Sequence, residues 1–571
     1  MAPGTFAFAL VPAWTTVLRS RDRQTMSSAS GARTVLTSLS ADSARANPAP
    51  TALSLRLKTD IETEGEVALA AKELRRLVAD GVSFEGELDE LTLGGRVTGV
   101  LRGDRARAAR ALDRLAYFDR GSLGGIELSP QQATLERLSA TANGQEETNR
   151  RSREYLGHGI HKYKAKFFPR MCRSLINICC PTDGGVVLDP YCGSGTTLAE
   201  ATLLGLSAVG TDIDPLSCMI ATEKVRFPIS GAASLRRLVA AASDANFGQP
   251  SLFSKRGGSN YTIPEFLRKK LDASVAEQVE VQVASLMRDL TEAVEPADLG
   301  VARLVASHVI STKISLRWVG TGDNRFALEL GAIECSTVAK SHARRLLRSH
   351  PETMGWKPPP HLRAGIEDSR VIRASAGATG LAAESVDAVV TSPPYLPASS
   401  GRETYLRSRA PALVLLGLLD EGEILDLDAD HVTGSVLRRP ERSGALPVHP
   451  AVTDLVEWMR PQRARGPKAD PTIAYFQDLL LAGRETHRVL KPGGMAAFVV
   501  ATQHTFYELV TRQIVRSFPL AEVLAEMYTQ NGYGVGFSKA ELITLELPKA
   551  DFKARPASRH AYSETVVLLT K

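Results

Sequence analysis

The chain has 571 residues, too many for one ordinary hydrophobic core, and its 43% hydrophobic and 23% charged content is that of a folded globular protein. The net charge of +6 permits a polyanionic partner without requiring one. The six cysteines lack the paired C-x-x-C spacing of a zinc site and read as reduced, buried thiols. No run is long and apolar enough to span a bilayer, and the opening stretch lacks the basic start of a secretory signal, so a cytoplasmic location is expected.

Residues 1–50, rich in Ser, Ala, Thr and Pro without period, read as a disordered leader. From Thr51 the pattern changes. ALSLRLK alternates as a strand, EVALAAKELRRLVADG is helical, VSFEG and RVTGVL are strands, ARAARALDRLA is helical, and GGIELS closes as a strand. The order βαββαβ predicts a small α+β domain of split, ferredoxin-like arrangement over 51–130. Residues 131–157 are polar and expected to link it to the rest, 158–571, where strands and helices alternate. Within that part, about 231–363 has helical spacing in EFLRKKLDASVAEQVEVQVASLMRDLTEAV and LGVARLVASHVISTKISL, which predicts a helical insertion.

Just before the insertion stands GGVVLDPYCGSGTTLAEATLLGLSAVGTDIDP. Val186 to Leu188 predict a buried strand ended by Asp189, Gly193 and Gly195 turn the chain, and Thr197 with Glu200 has the spacing of a capping box for the next helix. A second strand, SAVGTD, ends at Asp212, whose carboxylate can accept from both hydroxyls of a ribose. A phosphate-gripping loop needs a lysine that is missing, and a dinucleotide fingerprint needs a third small residue where Leu198 stands. An acid ahead of the glycines repels pyrophosphate but suits the ammonium of a methionine moiety, which points to S-adenosylmethionine.

Past the insertion the apolar run VDAVV ends in TSPPY, residues 391–395. Two prolines fix two φ angles and leave their carbonyls outward. At the carboxyl edge of an α/β sheet such a turn offers acceptors from Ser392 and the Pro393 carbonyl, and the flat face of Tyr395, to a planar ring bearing an amine.

The blocks HGIHKYKAKFFPRM, LDPYCGSGTTLAEATLLGLSAVGTDIDP and VDAVVTSPPYL, in that order, make the chain resemble the DNA methylases specific for exocyclic amines, the N4-cytosine and N6-adenine enzymes. RVLKPGGMAAFVV is similar to a segment general to class I methyltransferases. The resemblance implies a class I, Rossmann-like sheet with S-adenosylmethionine as cofactor. It carries cofactor binding onto Phe167, Phe168, Pro169, Asp189, Pro190, Gly193, Gly195, Thr196, Asp212 and Ile213, and catalysis onto Ser392, Pro393, Pro394 and Tyr395. Ser before the two prolines tilts the target towards N4 of cytosine, with N6 of adenine as the alternative. Two departures stand out. Ser375, in RASAGATG, occupies the place of an acid common in relatives unless Asp368 takes that role, and LPASSGRETY after the turn differs from them.

DNA bearing a flipped base is the expected partner, with a restriction or defence component beside it. The segment RRSREYLGHGIHKYKAKFFPR has a composition suited to phosphates and stacked bases, equally that of a solvated face. Arg438, Arg439 and Arg442, then Arg460, Arg463, Arg465 and Lys468, form further basic clusters. Two rival functions remain open: an RNA methyltransferase of the tRNA guanine-N2 type, and a subunit that binds DNA and cofactor without turnover.

Overall fold

The computed structural model describes residues 50–571 except 80–81, 87, 89–90, 145–153, 164–165, 245–246, 248–264, 270–271, 319–325, 331–333, 397–405, 441–445, 509–510, 512 and 548–561. The expected leader lies outside the described residues.

The amino-terminal part runs β1 (Thr51–Leu57), α1 (Glu64–Val78), β2 (Val82–Gly86), β3 (Arg96–Gly103), α2 (Arg105–Asp113), β4 (Phe118–Leu123) and β5 (Ile126–Leu128). The antiparallel sheet has the order β2, β3, β1, β4, β5, the ferredoxin-like order with one strand added. Leu53, Leu55 and Leu57 alternate with polar residues along β1 and are buried with Leu69 and Leu74 of α1. The closing strand differs from expectation. Gly124 and Gly125, both at positive φ, are the hairpin turn between β4 and β5, so FDRGSL is the strand that pairs with β1 and IEL is an addition to it. The stretch expected as a polar linker contains α3 (Gln131–Ala142), whose buried residues include Ala133 and Leu135.

The remaining chain builds one seven-stranded sheet. After α4 (Pro169–Cys179) come β6 (Val186–Asp189), α5 (Thr196–Leu203), β7 (Ser207–Asp212) and α6 (Pro215–Arg226). The insertion follows. It includes helices Ala232–Ala241, Ala273–Glu292, Leu299–Lys313 and Cys335–Ser349, and a hairpin of β8 (Ile314–Trp318) and β9 (Phe326–Leu330). Helical spacing was expected through ISL; the period-two runs ISLRW and FALEL, able to pair with each other, override it there. The sheet resumes with β10 (Arg370–Arg373), β11 (Val386–Thr391) and β12 (Leu490–Ala501). A second hairpin, β13 (His504–Tyr507) with β14 (Ile514–Phe518), precedes the last strands β15 (Lys539–Leu547) and β16 (Tyr562–Thr570).

The strand order is β10, β7, β6, β11, β12, β16, β15. The first five strands are mutually parallel and β16 runs against both its neighbours. This is the Rossmann-like sheet expected above, with one antiparallel strand near its edge. Both faces are covered, because successive residues alternate between two cores: Val187, Val499 and Val566 on one side, Leu188, Phe498 and Val567 on the other. The order reverses between β6 and β11, and a crevice at the carboxyl ends of strands flanking such a reversal is where ligands bind in open α/β sheets.

A buried polar network fixes α5. Glu200 is fully buried and accepts from Tyr155 Oη (2.5 Å), His158 Nε2 (2.7 Å) and Arg173 Nε (2.6 Å). The capping box expected at Thr197 and Glu200 is absent: Gly195 in the left-handed region is the cap, and both side chains are bonded elsewhere. Burial raises the carboxyl's pKa, but Arg173 and the two other donors outweigh it and bring it from 4.5 to about 2. A depressed acid stabilises the fold above its unfolded value and loses that contribution as pH falls. Glu200→Ala is expected to cost about 3–5 kcal/mol, because Arg173 is left buried without its counter-charge. Urea titrations at several pH values check it, with the wild type losing stability between pH 4.5 and about 2 and the variant lacking that component.

Candidate active site

The strand-to-helix turn after β6 is tight because glycine permits it. Gly195 has φ 74°, and a Cβ there would lie 2.7 Å from that of Ala221; Gly193, at φ 49°, faces the Tyr163 hydroxyl at 3.0 Å from an added Cβ. Asp189, buried at the end of β6, accepts from the Thr197 hydroxyl at 2.6 Å, the Tyr191 amide at 3.1 Å and the Thr391 hydroxyl at 2.7 Å. Thr391 is the last residue of β11 and precedes Ser392. One carboxylate therefore ties the glycine turn to the double-proline turn. Burial raises Asp189 from 3.8 to about 6, against the pull of its three donors.

Both turns line one cleft. Phe167, Asp189, Pro190, Gly193, Thr196, Asp212, Ile213 and Ser375 meet Ser392, Pro393, Pro394 and Tyr395 in it. Three predicted cofactor residues do not line it. Phe168 and Pro169 begin α4, with Arg170 stacked on the Phe168 ring, and Gly195 serves the turn. Ser375 is in the cleft, beyond β10, whereas Asp368 lies at the amino end of that strand and cannot take the part offered to it.

At the end of β7, Asp212 accepts the Gly193 amide on one oxygen at 3.0 Å and the Asp214 amide on the other at 2.9 Å, so each oxygen keeps capacity for another donor. Burial first, then the charge of Asp214, raises its pKa from 3.8 to about 7. Asp214 caps α6 and is bound by Arg409, whose guanidinium also donates to Ser217 at 2.8 Å and lies 4.1 Å from the centre of the Tyr163 ring. The Tyr163 hydroxyl shares a 2.9 Å hydrogen bond with that of Ser217. Tyr163, Asp214 and Arg409 line the cleft and were not among the predicted residues. Tyr163 and Asp214 lie within the quoted blocks; Arg409, 195 positions from its partner, carried no signal.

The double-proline turn is held from behind. The Tyr475 hydroxyl donates to the Pro394 carbonyl at 3.0 Å, and the Tyr395 hydroxyl donates to Glu564 of β16 at 3.2 Å. Among the described residues the Ser392 hydroxyl and Pro393 carbonyl have no such partner, and both residues border the cleft.

Among its described residues the basic and aromatic segment before α4 is mainly structural, whereas Arg150, Arg151, Arg153 and Lys164 lie outside the described residues. Tyr155 and His158 belong to the Glu200 network, Arg170 is buried against Asp60, and Lys166 pairs with Glu154. Among the other clusters, Arg438 is held by Asp478, Arg460 by Asp470, and Arg465 lies over Trp458. Arg442 lies outside the described residues.

Comparison with known proteins agrees with this geometry. Residues 127–223 match the DNA methylase family N6_N4_Mtase. The type II methyltransferase M.MvaI of Kocuria varians is 26% identical over 367 residues, 61% of this chain and 77% of that protein. Over these stretches the chain is similar to the exocyclic-amine DNA methyltransferases. M.MjaII of Methanocaldococcus jannaschii is 39% identical over 73 residues, so the matched stretch spans only 13% of its length. A tRNA (guanine(10)-N2)-dimethyltransferase of the same organism is 38% identical over 69 residues, 11% of this chain and 20% of that protein. Among solved structures, TrmN from Thermus thermophilus has a TM-score of 0.27 at 11% identity, covering 91% of this chain and 99% of that one.

The methyl donor of this family is S-adenosylmethionine, and the cleft fits it. Asp212 offers acceptors to ribose hydroxyls, and Phe167 and Ile213 offer apolar surface. The Thr196 hydroxyl at the start of α5 is buried without a partner among the described residues, beside backbone donors suited to a carboxylate.

A raised carboxyl at Asp212 is neutral below about pH 7 and a better acceptor above it. Cofactor affinity is expected to rise about tenfold from pH 6 to 8 with release of a proton, and Asp212→Asn to weaken binding and flatten the profile. Calorimetry in buffers of different ionisation enthalpy measures both. Thr391→Val is expected to cost about 1–2 kcal/mol of stability by stripping a donor from a buried carboxylate, read from chemical denaturation.

Proposed function

We propose that this chain is a site-specific DNA methyltransferase that acts on an exocyclic base amine, N4 of cytosine in preference to N6 of adenine. The observation that carries the reading is the Thr391 to Asp189 hydrogen bond, since it joins the cofactor turn and the amine-accepting turn in one cleft. Phe167, Asp189, Gly193, Thr196, Asp212, Ile213 and Ser375 hold the cofactor, which when bound supplies an electrophilic methyl group.

The chain's own part is to prepare the amine. An exocyclic amine is a weak nucleophile because its lone pair is delocalised into the ring. The Ser392 hydroxyl and Pro393 carbonyl accept its two hydrogens, favouring a pyramidal nitrogen with a localised lone pair. The proton leaves late, so no strong base is needed. In a duplex the amine is out of reach, so the base is extruded and lies against Tyr395, whose ring the Glu564 bond holds in one orientation. Ser at position 392 supports cytosine, and the match of residues 127–223 to a DNA methylase family supports DNA.

Transfer of methyl label to DNA, followed by nucleoside mass spectrometry, tests the reading and identifies the base. Ser392→Ala is expected to lower kcat about 100-fold with cofactor affinity unchanged. Label found only in tRNA would favour the RNA rival, which the short guanine-N2 match supports. Cofactor binding without transfer to any nucleic acid would favour the non-catalytic one. A cognate nuclease is a further part of the proposal, tested by co-purification.

A further inference from the structure

The ferredoxin-like sheet has one face buried under its helices and one open. On the open face Arg56 of β1 stands opposite Arg96 of β3 on one side and Arg120 of β4 on the other. Residues directly opposite in antiparallel strands point to the same face, so three arginines form a row across three adjacent strands, spanning about 10 Å. All three are exposed. Two residues along, Ser54 stands between Thr98 and Ser122, a parallel row of hydroxyls.

Among the described residues, carboxylates on this face do not neutralise the row. Glu85 is engaged with Arg102 in a bidentate pair, and Glu127 stands opposite Ser122, at the end of the hydroxyl row. Asp119 reaches Arg120 only at 4.0 Å while held by Arg137. Like charges directly opposite in a sheet are unfavourable, so the fold gains nothing from this arrangement. A polyanion lying across it would turn repulsion into attraction. The face carries no aromatic side chain among its described residues, since Phe84 and Phe118 pair with the core-facing Leu101 and Leu57. It is therefore no platform for stacking single-stranded bases. Guanidinium groups beside hydroxyls match phosphate oxygens instead.

We propose that the open face of the amino-terminal sheet binds the phosphodiester backbone of the duplex DNA that carries the target, through Arg56, Arg96 and Arg120. The identity of the polymer rests on the methyltransferase reading above. The contact is sequence-independent: it adds affinity and leaves target choice to the cleft side.

The test is the triple variant Arg56→Gln, Arg96→Gln, Arg120→Gln in the full chain. Binding of a labelled 30-base-pair duplex is followed by anisotropy over a salt series, with kcat and KM for the same duplex. Loss of three phosphate contacts is expected to reduce the slope of log affinity against log salt by about 2 to 3 and to raise KM with kcat and cofactor affinity unchanged. The melting temperature is expected to hold or rise. An unchanged slope and KM in an enzyme that methylates DNA would overturn this inference and leave the methyltransferase reading standing. A fall in melting temperature would show the arginines to be structural and overturn it too. If the variant loses tRNA rather than duplex DNA, the assigned partner is wrong. A wild-type chain that transfers no methyl to DNA yet binds duplex through these arginines would refute the methyltransferase reading and uphold the surface.

Discussion

The geometry of this protein depends on a carboxylate buried at the end of one strand and claimed by three donors from three pieces of backbone. Asp189 binds the start of α5, its own turn and the last residue of β11. A buried carboxylate without such donors would be costly, and even with them burial keeps its pKa at about 6. The bonds therefore have to persist for the fold to tolerate the group. The glycine turn and the double-proline turn consequently move as one piece. Their strands are already neighbours, with Val389 in register with Leu188, but pairing alone leaves the loops beyond the strands free. The side-chain clasp removes that freedom at the point where the sheet order reverses.

A second set of buried charges extends the same rigidity away from the cleft. From Glu200 the network runs through Tyr155 to Gln132 of α3 and on to Lys58, which also binds Glu136. Through Arg173 it reaches Gln131, and Arg170 joins Asp60. At the carboxyl end of α4, Arg76 and Arg114 donate to the carbonyls of Ile178 and Cys180, the terminal acceptors that a helix leaves open. Polar groups at this density cannot be separated without exposing unpaired charges. The small sheet is thus a fixed extension of the part that bears the cleft, and a charge row on its open face keeps a constant relation to that cleft.

What the sequence made legible follows from range. The glycine turn, the double-proline turn and the strands leading to them are local, written in residues whose backbone preferences do not depend on distant partners. The split βαββαβ order was legible because its leucines alternate. Side-chain destinations were not. Thr197 and Glu200 have the spacing of a cap, yet stronger partners across the fold claim both. Gly124 and Gly125 read as a strand start because a turn and a strand edge look alike until the pairing is known. Arg409 with Asp214 and Glu564 with Tyr395 are contacts between segments far apart in sequence, which no periodicity encodes. The row of Arg96, Arg56 and Arg120 exists only once register is fixed, because a slip by one residue would place each on the opposite face.

Register also explains how the double-proline turn divides its labour. β16 runs against its neighbours, so its first residues, not its last, reach the carboxyl edge of the sheet. Glu564 sits opposite Ala501 at the end of β12 and accepts the Tyr395 hydroxyl there. An all-parallel sheet would bring an amino-terminal strand end to the other edge, and the ring would have no such anchor. With Pro394 bound by Tyr475 and Tyr395 by Glu564, the second half of the turn is spent on holding its shape. Its first half, the Ser392 hydroxyl and the Pro393 carbonyl, has no such partner among the described residues, and the proline that follows each of these two residues restricts its backbone. Free acceptors on a turn whose backbone is fixed suit the amine polarisation proposed above, because both keep their full capacity for its two hydrogens.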